Sequence, residues 1–282
     1  MALQLKPRTW VRVRTSEVTG ASEAAPAWPV TAVHKESDEM LGGQRDIAEH
    51  QEEPESGKRP RKDKGRRLLT ERDRAVLAWT AEQYAVRLDQ LQRLLGRDAQ
   101  RSIGTAGQLS LSGARHVVAR WEEGGYAESE KVFFKEPSWV WPSRKGLLRL
   151  HLDFPYRRPA IAQLPHYYWV NETRLYLEGP DYPDLVQWRG ERVLVPGDAR
   201  AGAIHYVDAE AEIGEVVVGI EVELTPKKPA DLRTILEDLV ARYEEVWYFT
   251  LAASRSGVER AVAGLPAESR ERVQVYKLEN LS

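Results

Sequence analysis

The sequence predicts a mixed fold: a helical part closed by a β-hairpin, then a part of order αβββαβ around a mixed central sheet. Apolar residues recur at helical spacing between residues 70 and 123, whereas residues 204–251 contain apolar runs of strand length. The run 246–251 is almost wholly apolar, as expected for a strand buried on both faces, and a helix precedes it. This succession predicts right-handed parallel pairing at the centre of the sheet. The part that contains the sheet is therefore predicted to be of the α/β class, and the chain as a whole is α+β.

Composition limits the functions to consider. The 282 residues suffice for two modest domains and a tail, and the formal net charge of -2 excludes a uniformly basic nucleic-acid coat. The chain has no cysteine, which excludes disulfides and cysteine-ligated zinc. No apolar run approaches the roughly 20 residues that cross a bilayer, so we expect a cytoplasmic protein without a membrane partner.

Residues 1–67 are predicted to be a disordered, charged segment. They are rich in Ala, Pro, Glu, Ser and Gly, and such a segment cannot bury enough apolar surface to offset the entropy of ordering. The segment ends in the basic run 58–67. That run either binds DNA phosphates or is a solvated linker.

Residues 68–155 are predicted to form a helical domain. Thr70 and Asp73 have the spacing of an N-cap and its acidic partner, which marks the start of the first helix. The expected elements are helices at 70–84, 86–95 and 110–123, strands at 129–135 and 138–142, and a helix that starts at residue 146.

Three helices followed by a hairpin is the element order of a winged helix-turn-helix. In such a domain the third helix enters the major groove and the hairpin contacts the flanking DNA backbone. The same fold also serves in dimerisation or protein docking, and this alternative stays open. Phe133, Phe134, Trp139 and Trp141 are expected to form the hairpin core rather than a platform for bases. The candidate DNA contacts are Ser112, Arg115, His116 and Arg120 on the third helix and Lys131 and Lys135 on the hairpin.

Residues 160–282 are predicted to form the sheet domain. Pro155 and Pro159 mark the boundary before it, and Pro229 opens a clearly amphipathic helix within it. The expected elements are helices at 164–177, 229–243 and 258–263 and strands at 192–195, 204–211, 215–224, 246–251 and 273–278.

Three acidic residues fall on neighbouring strands of this predicted sheet. Glu221 and Glu223 are two residues apart and so share one face of their strand, while Asp208 lies across a hairpin from them. Carboxylates in a buried strand are costly unless they are paired or bound to a cation. The pattern therefore predicts Mg²⁺ or Mn²⁺ at this place.

These motifs resemble those of a known superfamily and of one family. The order αβββαβ, with an acid on the second strand and Glu-x-Glu on the third, resembles the PD-(D/E)xK nucleases. With the winged-helix segment before it, the chain resembles the bacterial replication-relaxation family of plasmids and other mobile elements, over roughly residues 68–255. The matching stretches are 188–192, 205–209, 221–227 and 243–249.

The resemblance implies a DNA-binding protein of the bacterial cytoplasm that nicks or cuts double-stranded DNA with Mg²⁺ or Mn²⁺. It implies Asp208 and Glu221 as metal ligands, Glu223 as a further ligand and Lys227 as the group that stabilises developing charge. Glu191 and His205 are weaker candidates, and Glu191 can also pair with a neighbouring arginine. The sequence leaves a homodimer open and does not define the oligomeric state.

Two positions depart from the superfamily pattern. Val207 stands where the superfamily has proline, and Glu223 stands where it has its lysine, so Lys227 or Lys228 would have to reach back. The alternative function is therefore a non-catalytic transcriptional regulator or replication accessory factor that keeps a degenerate nuclease fold. An edge strand with solvated glutamates is a further alternative, although the flanking residues are strongly apolar.

Overall fold

The structure is a computed structural model that describes residues 69–97, 107–195 and 205–281. These residues belong to one compact unit, Pro60–Ser282. The predictions for residues 1–67, including the basic run 58–67, lie outside the described residues. The described fold is a mixed α+β arrangement of helices with a mixed five-stranded sheet.

The helical part contains three longer helices and a small antiparallel sheet of order β1-β3-β2. The predicted capping box is confirmed, since Thr70 Oγ1 accepts from the backbone N–H of Asp73 and the Asp73 side chain accepts from that of Thr70. The elements are α1 (Glu71–Glu82), β1 (Val86–Arg87), α2 (Leu88–Arg97), α3 (Leu111–Glu123), β2 (Ala127–Glu130), β3 (Trp139–Pro142) and α4 (Arg144–Arg149).

The sheet part has five strands in the order β4-β5-β6-β7-β8. The first three strands pair antiparallel, and β6, β7 and β8 pair parallel. The predicted parallel pairing across an intervening helix is therefore confirmed. The elements are α5 (Leu164–Leu177), β4 (Leu185–Gly190), α6 (Glu191–Leu194), β5 (Ala209–Ile213), β6 (Val216–Glu223), α7 (Pro229–Arg242), β7 (Glu245–Thr250), α8 (Ala252–Ala263), α9 (Ala267–Glu271) and β8 (Val273–Lys277).

Three local predictions were wrong. The strand expected at 192–195 is the short helix α6, and the strand that precedes it, β4, was not predicted. Only Trp188 and Gly190 of β4 are buried, so this edge strand lacks the apolar run that marks the other strands. The helix expected at 86–95 begins with strand β1, and the strand expected at 129–135 ends at Glu130.

Each face of the large sheet is covered by different helices. Val170 and Leu177 of α5 pack on the face that carries Ile220 and Phe249. Helices α7 and α8 pack on the opposite face, against β7 and β8. The sheet is thus buried on both sides at its centre, which explains the apolar sequence of β6 and β7.

Helix α5 belongs to two cores and carries polar groups between them. Its Leu175 packs in the core of the helical part, while other α5 residues pack on the sheet. Asn171 donates to the carbonyl of Ala85, and Glu172 accepts from Gln90. These contacts fix the helical part against the sheet part through directional hydrogen bonds.

Candidate active site

The predicted metal-binding residues lie at one end of the sheet, where β5 begins and β6 ends. Asp208 immediately precedes β5, and Glu221 and Glu223 lie within the last three residues of β6. Because the start of β5 pairs with the end of β6, Asp208 lies beside Glu221. Lys227 follows in the connection to α7. We call these four residues the carboxylate site.

Both glutamates of the carboxylate site are buried. Glu221 is 2% exposed and Glu223 is 5% exposed. Strand alternation places them on the face that α7 and α8 cover, while Ile220 and Val222 face α5. A buried carboxylate is costly without a partner, so the contacts of each one determine what the site can do.

Asp208 is held from two sides. Its Oδ2 accepts a hydrogen bond of 2.7 Å from the backbone N–H of Val222. Its Oδ1 lies 2.8 Å from Nε2 of His166, near the start of α5. Burial lowers the pKa of His166, but the charge and the hydrogen bond of Asp208 outweigh burial and raise this pKa overall. His166 thereby fixes the orientation of the Asp208 carboxylate.

Glu221 also has a histidine partner. Its Oε1 lies 2.9 Å from Nε2 of His205. Burial, followed by the charge of Asp208, raises the pKa of Glu221 to about 7. The hydrogen bond that the His205 ring makes to the Glu221 carboxylate raises the pKa of His205. The two carboxylates therefore repel each other, and a cation between them would relieve the repulsion.

Lys227 reaches the carboxylate site from the loop after β6. Its Nζ forms an ion pair with the carboxylate of Glu223, four residues earlier. Burial lowers the pKa of Lys227, but the hydrogen bond with Glu223 and the charges of Glu223, Glu221 and Asp208 raise it overall. A positive charge is therefore present in the site although position 223 itself is acidic.

The expected set of three carboxylate ligands is not assembled. Over 69–97, 107–195 and 205–281, no three His, Cys, Asp or Glu side chains are grouped so that they could hold a metal ion. Glu223 pairs with Lys227 instead. However, Mg²⁺ is usually bound by one or two carboxylates, with water and substrate phosphates as its other ligands. Asp208 and Glu221 are the two carboxylates of the site that lie side by side across the pairing of β5 with β6.

Tyr248 is a residue of this site that the sequence did not indicate. It lies on β7 in register with Glu221 and is fully buried. Within the described part of the chain, its hydroxyl has no hydrogen-bond partner. Burial, followed by the charges of Glu221, Glu223 and Asp208, raises the pKa of Tyr248 well above its ordinary value. In the sequence Tyr248 is one of three consecutive aromatic residues in an apolar strand, and only the strand register reveals its neighbours.

The two weaker candidates lie in different places. His205 contacts the carboxylate site through Glu221, as described above. Glu191, the first residue of α6, lines a small cavity together with Tyr84, His166 and Asp208. This cavity connects the end of α1 with the carboxylate site. His166 is 42 residues from Asp208 in the chain, and no local pattern sets that contact.

The candidate DNA contacts divide into exposed residues and one that is already engaged. Ser112, Arg115 and His116 are exposed on α3. Arg120 instead donates two hydrogen bonds of 2.6 Å to the buried carboxylate of Asp73, so its guanidinium joins α3 to the start of α1. Lys131 and Lys135 are exposed in the connection between β2 and β3.

The predicted hairpin core is correct for the tryptophans and wrong for Phe134. Trp139 and Trp141 are buried, and Phe133 is half-buried against them. Phe134 is 86% exposed, and the Nζ of Lys135 lies 5.5 Å from the centre of its ring. Lys135 has a positive φ of 65°, and this tight turn directs Phe134 away from the core.

No family model, curated protein or solved structure matches the chain. None of the helices in the described residues combines the length and the apolar character needed to cross a membrane. Function must therefore be argued from the geometry of the carboxylate site and from the exposed surface of the helical part.

Proposed function

We propose that this chain is a DNA-binding protein of the plasmid or mobile-element type, similar to the replication-relaxation family, with a metal-dependent phosphodiesterase site of the PD-(D/E)xK type. The observation that carries the proposal is the meeting of Asp208, just before the start of β5, with Glu221 at the end of β6, and the ammonium group of Lys227 lies beside them. Two adjacent acids that hold a metal ion and one lysine beside them can together support hydrolysis of a phosphodiester.

The topology supports this proposal. The order α5, β4, β5, β6, α7, β7 matches the αβββαβ core expected from the resemblance, apart from the short helix α6. Asp208, immediately before the second strand β5, lies beside Glu221, the first acid near the end of the third strand β6. Lys227 offsets the departure at Glu223, because its side chain returns to the site from the loop.

The residues of the site have distinct tasks in the proposed reaction. When bound, Mg²⁺ or Mn²⁺ would polarise the phosphate and lower the pKa of a bound water molecule. Asp208 and Glu221 would hold the ion, and the Val222 N–H and His166 keep Asp208 in position. His205 orients Glu221. Lys227 would stabilise the negative charge that develops on the phosphate oxygens.

The helical part would bring DNA to this site as a winged helix-turn-helix. Its three helices and β-hairpin have the expected order, and Ser112, Arg115 and His116 are exposed on the third helix. Side chains in such positions contact base edges and phosphates in the major groove. Lys131 and Lys135 would contact the flanking backbone.

One observation favours the alternative of a non-catalytic regulator. Glu223 occupies the position of the superfamily lysine, and the ion pair with Glu223 neutralises the charge of Lys227. A lysine that is bound in this way stabilises a phosphate less than a free one. In this alternative the helical part binds DNA and the sheet serves dimerisation or partner docking.

Incubation with supercoiled plasmid and Mg²⁺ or Mn²⁺ separates the two functions. The parent protein should give nicked or linear DNA, whereas the Asp208→Asn/Glu221→Gln variant should give none. Glu212→Gln is a matched control on β5, because it neutralises an acid outside the carboxylate site and should leave cleavage unchanged. Absence of cleavage by the parent, together with an intact gel shift that ignores Mg²⁺, would favour the regulator.

A further inference from the structure

The hairpin of β2 and β3 presents one aromatic ring to solvent at its tip. Phe134 is 86% exposed, although the residue before it, Phe133, packs in the hairpin core. The backbone N–H of Glu136 donates to the carbonyl of Phe133 at 3.4 Å, which closes a tight turn with Phe134 and Lys135 at its centre. We call Lys131, Phe134 and Lys135 the wing tip.

The turn at the wing tip has a conformation that its own sequence does not favour. Lys135 has a φ of 65°, in the left-handed region that turns usually fill with glycine or asparagine. The exposed ring of Phe134 also forgoes the stabilisation that burial would give it. Two features that do not help folding thus occur at neighbouring exposed residues. Such departures from local preference concentrate where a surface serves binding.

The charges around this ring favour an anionic partner. Both lysines of the wing tip are exposed. The two acids closest to them in the chain are engaged in ion pairs, Glu130 with Arg158 and Glu136 with Arg87. The wing tip therefore offers one apolar ring between two exposed cations.

A DNA duplex fits this chemistry better than a lipid surface does. Stable attachment to a membrane takes a larger apolar face or a lipid chain, and one ring with two cations gives only weak binding there. Trp139 and Trp141, which could enlarge the apolar surface, are buried in the hairpin core. A groove of DNA accepts a single apolar side chain, and its phosphates attract the cations beside that side chain.

We propose that Phe134 inserts its ring from the minor groove between two base pairs of a DNA duplex, while Lys131 and Lys135 bind the phosphates on either side. The inference rests on the DNA-binding part of the proposed function and requires neither a metal ion nor cleavage. An inserted ring unstacks one base step, and it bends and unwinds the duplex there. Pyrimidine–purine steps would accept the ring most readily, because they unstack most easily.

The test measures unwinding of closed circular plasmid in EDTA, where metal-dependent cleavage cannot occur. The plasmid is relaxed by a topoisomerase that needs no metal, in the presence of saturating full-length protein, and the shift in linking number is read on a gel. The parent should shift the linking number, and Phe134→Ala should not. Phe134→Leu should keep the shift, because leucine is also an apolar wedge. Val186→Ala is the matched control, since it trims a side chain that is 65% exposed on β4, outside the hairpin.

Binding of a labelled duplex, followed by fluorescence anisotropy, separates the ring from the lysines. Phe134→Ala should weaken binding about tenfold, because a stacking contact with a base is lost. It should leave the dependence of affinity on salt unchanged, since the ring neutralises no phosphate. Lys131→Ala should instead lower the slope of log affinity against log salt by about one and keep the unwinding.

The outcomes distinguish the inference from the function on which it rests. Equal unwinding by the parent and Phe134→Ala would overturn the inference and leave DNA binding intact, and so would a parent that binds the duplex without unwinding plasmid. Binding to phosphatidylserine vesicles that Phe134→Ala abolishes, without plasmid unwinding by the parent, would assign the wing tip to a lipid surface instead. A parent that does not bind the duplex would overturn the inference together with the proposed DNA binding.

Discussion

Replacing Arg174 by methionine tests whether the polar contacts of α5 hold the helical part to the sheet part. Arg174 is almost fully buried, and its guanidinium donates to Glu82 at 2.6 Å and to Glu178 at 2.7 Å. The guanidinium also lies 4.7 Å from the ring centre of Trp79. Methionine keeps the length and much of the volume of the side chain but removes all three electrostatic contacts.

The expected loss of stability follows from the carboxylates that are left behind. Removing one partner of a buried ion pair costs about 3–5 kcal/mol, because the remaining charge stays desolvated. Arg97 still contacts Glu178, and the Glu82 side chain is 21% exposed, so part of the cost is avoided. We therefore expect Arg174→Met to lower the free energy of unfolding by about 3 kcal/mol.

Urea unfolding monitored by tryptophan fluorescence measures this loss. Arg233→Met is the matched control, because Arg233 is 69% exposed and pairs with Glu237 of its own helix; its unfolding midpoint should not change. The double variant Arg174→Met/Glu82→Gln should recover part of the lost stability, because it also removes the carboxylate charge that Arg174 pairs with. A single Arg174→Met variant as stable as the parent would refute the reasoning.

The dependence on pH provides a second check of the same contacts. Burial alone raises the pKa of Glu178, but the charges of Arg174 and Arg97 outweigh it and lower the pKa overall. A lowered pKa in the folded state contributes stability above the unfolded-state pKa, and this stability is lost as the pH falls through the folded-state pKa. The parent should therefore lose stability below about pH 4, and Arg174→Met should lose less over the same range.

Three further substitutions are expected to have separable effects. A Cβ at Gly219 would lie 2.8 Å from a ring carbon of Tyr243, so Gly219→Ala should lower the free energy of unfolding by about 2 kcal/mol in urea titrations. Arg120→Ala leaves the buried Asp73 without its guanidinium partner and should cost about 1 kcal/mol, because Arg120 is 38% exposed and solvent screens part of the pair. Phe134→Ala should leave the unfolding midpoint unchanged because Phe134 is 86% exposed, and should weaken binding of a labelled duplex in fluorescence anisotropy. Equal duplex affinity of parent and variant would show that Phe134 does not contact DNA.

Local sequence patterns were sufficient for much of the fold. The capping box of Thr70 and Asp73, the bounds of α5 and the parallel pairing of β6 with β7 all follow from spacing and apolar runs. The edge strand β4 was missed because Gln187 and Arg189 interrupt its apolar residues and only two of its residues are buried. Such a strand has no apolar run, and the neighbouring strand rather than its own sequence determines its conformation.

The candidate site was predictable only in part. Strand alternation and the hairpin are enough to bring Asp208, Glu221 and Glu223 to one place. The partners that decide their chemistry come from elsewhere: His166 lies in α5, and Tyr248 lies on a strand that follows a crossover helix. Contacts between residues so far apart in the chain depend on packing, which a single sequence does not display.

The double role of α5 has a consequence for where chemistry can take place on a DNA molecule. One end of this helix carries His166, which touches Asp208, and the other carries Arg174, which is tied to α1 of the helical part. A flexible tether would let the sheet part reach many positions along a duplex. A shared helix instead fixes the distance between the helical part and the carboxylate site. Under the proposed function, any strand break would therefore fall a fixed number of base pairs from the bases that α3 contacts.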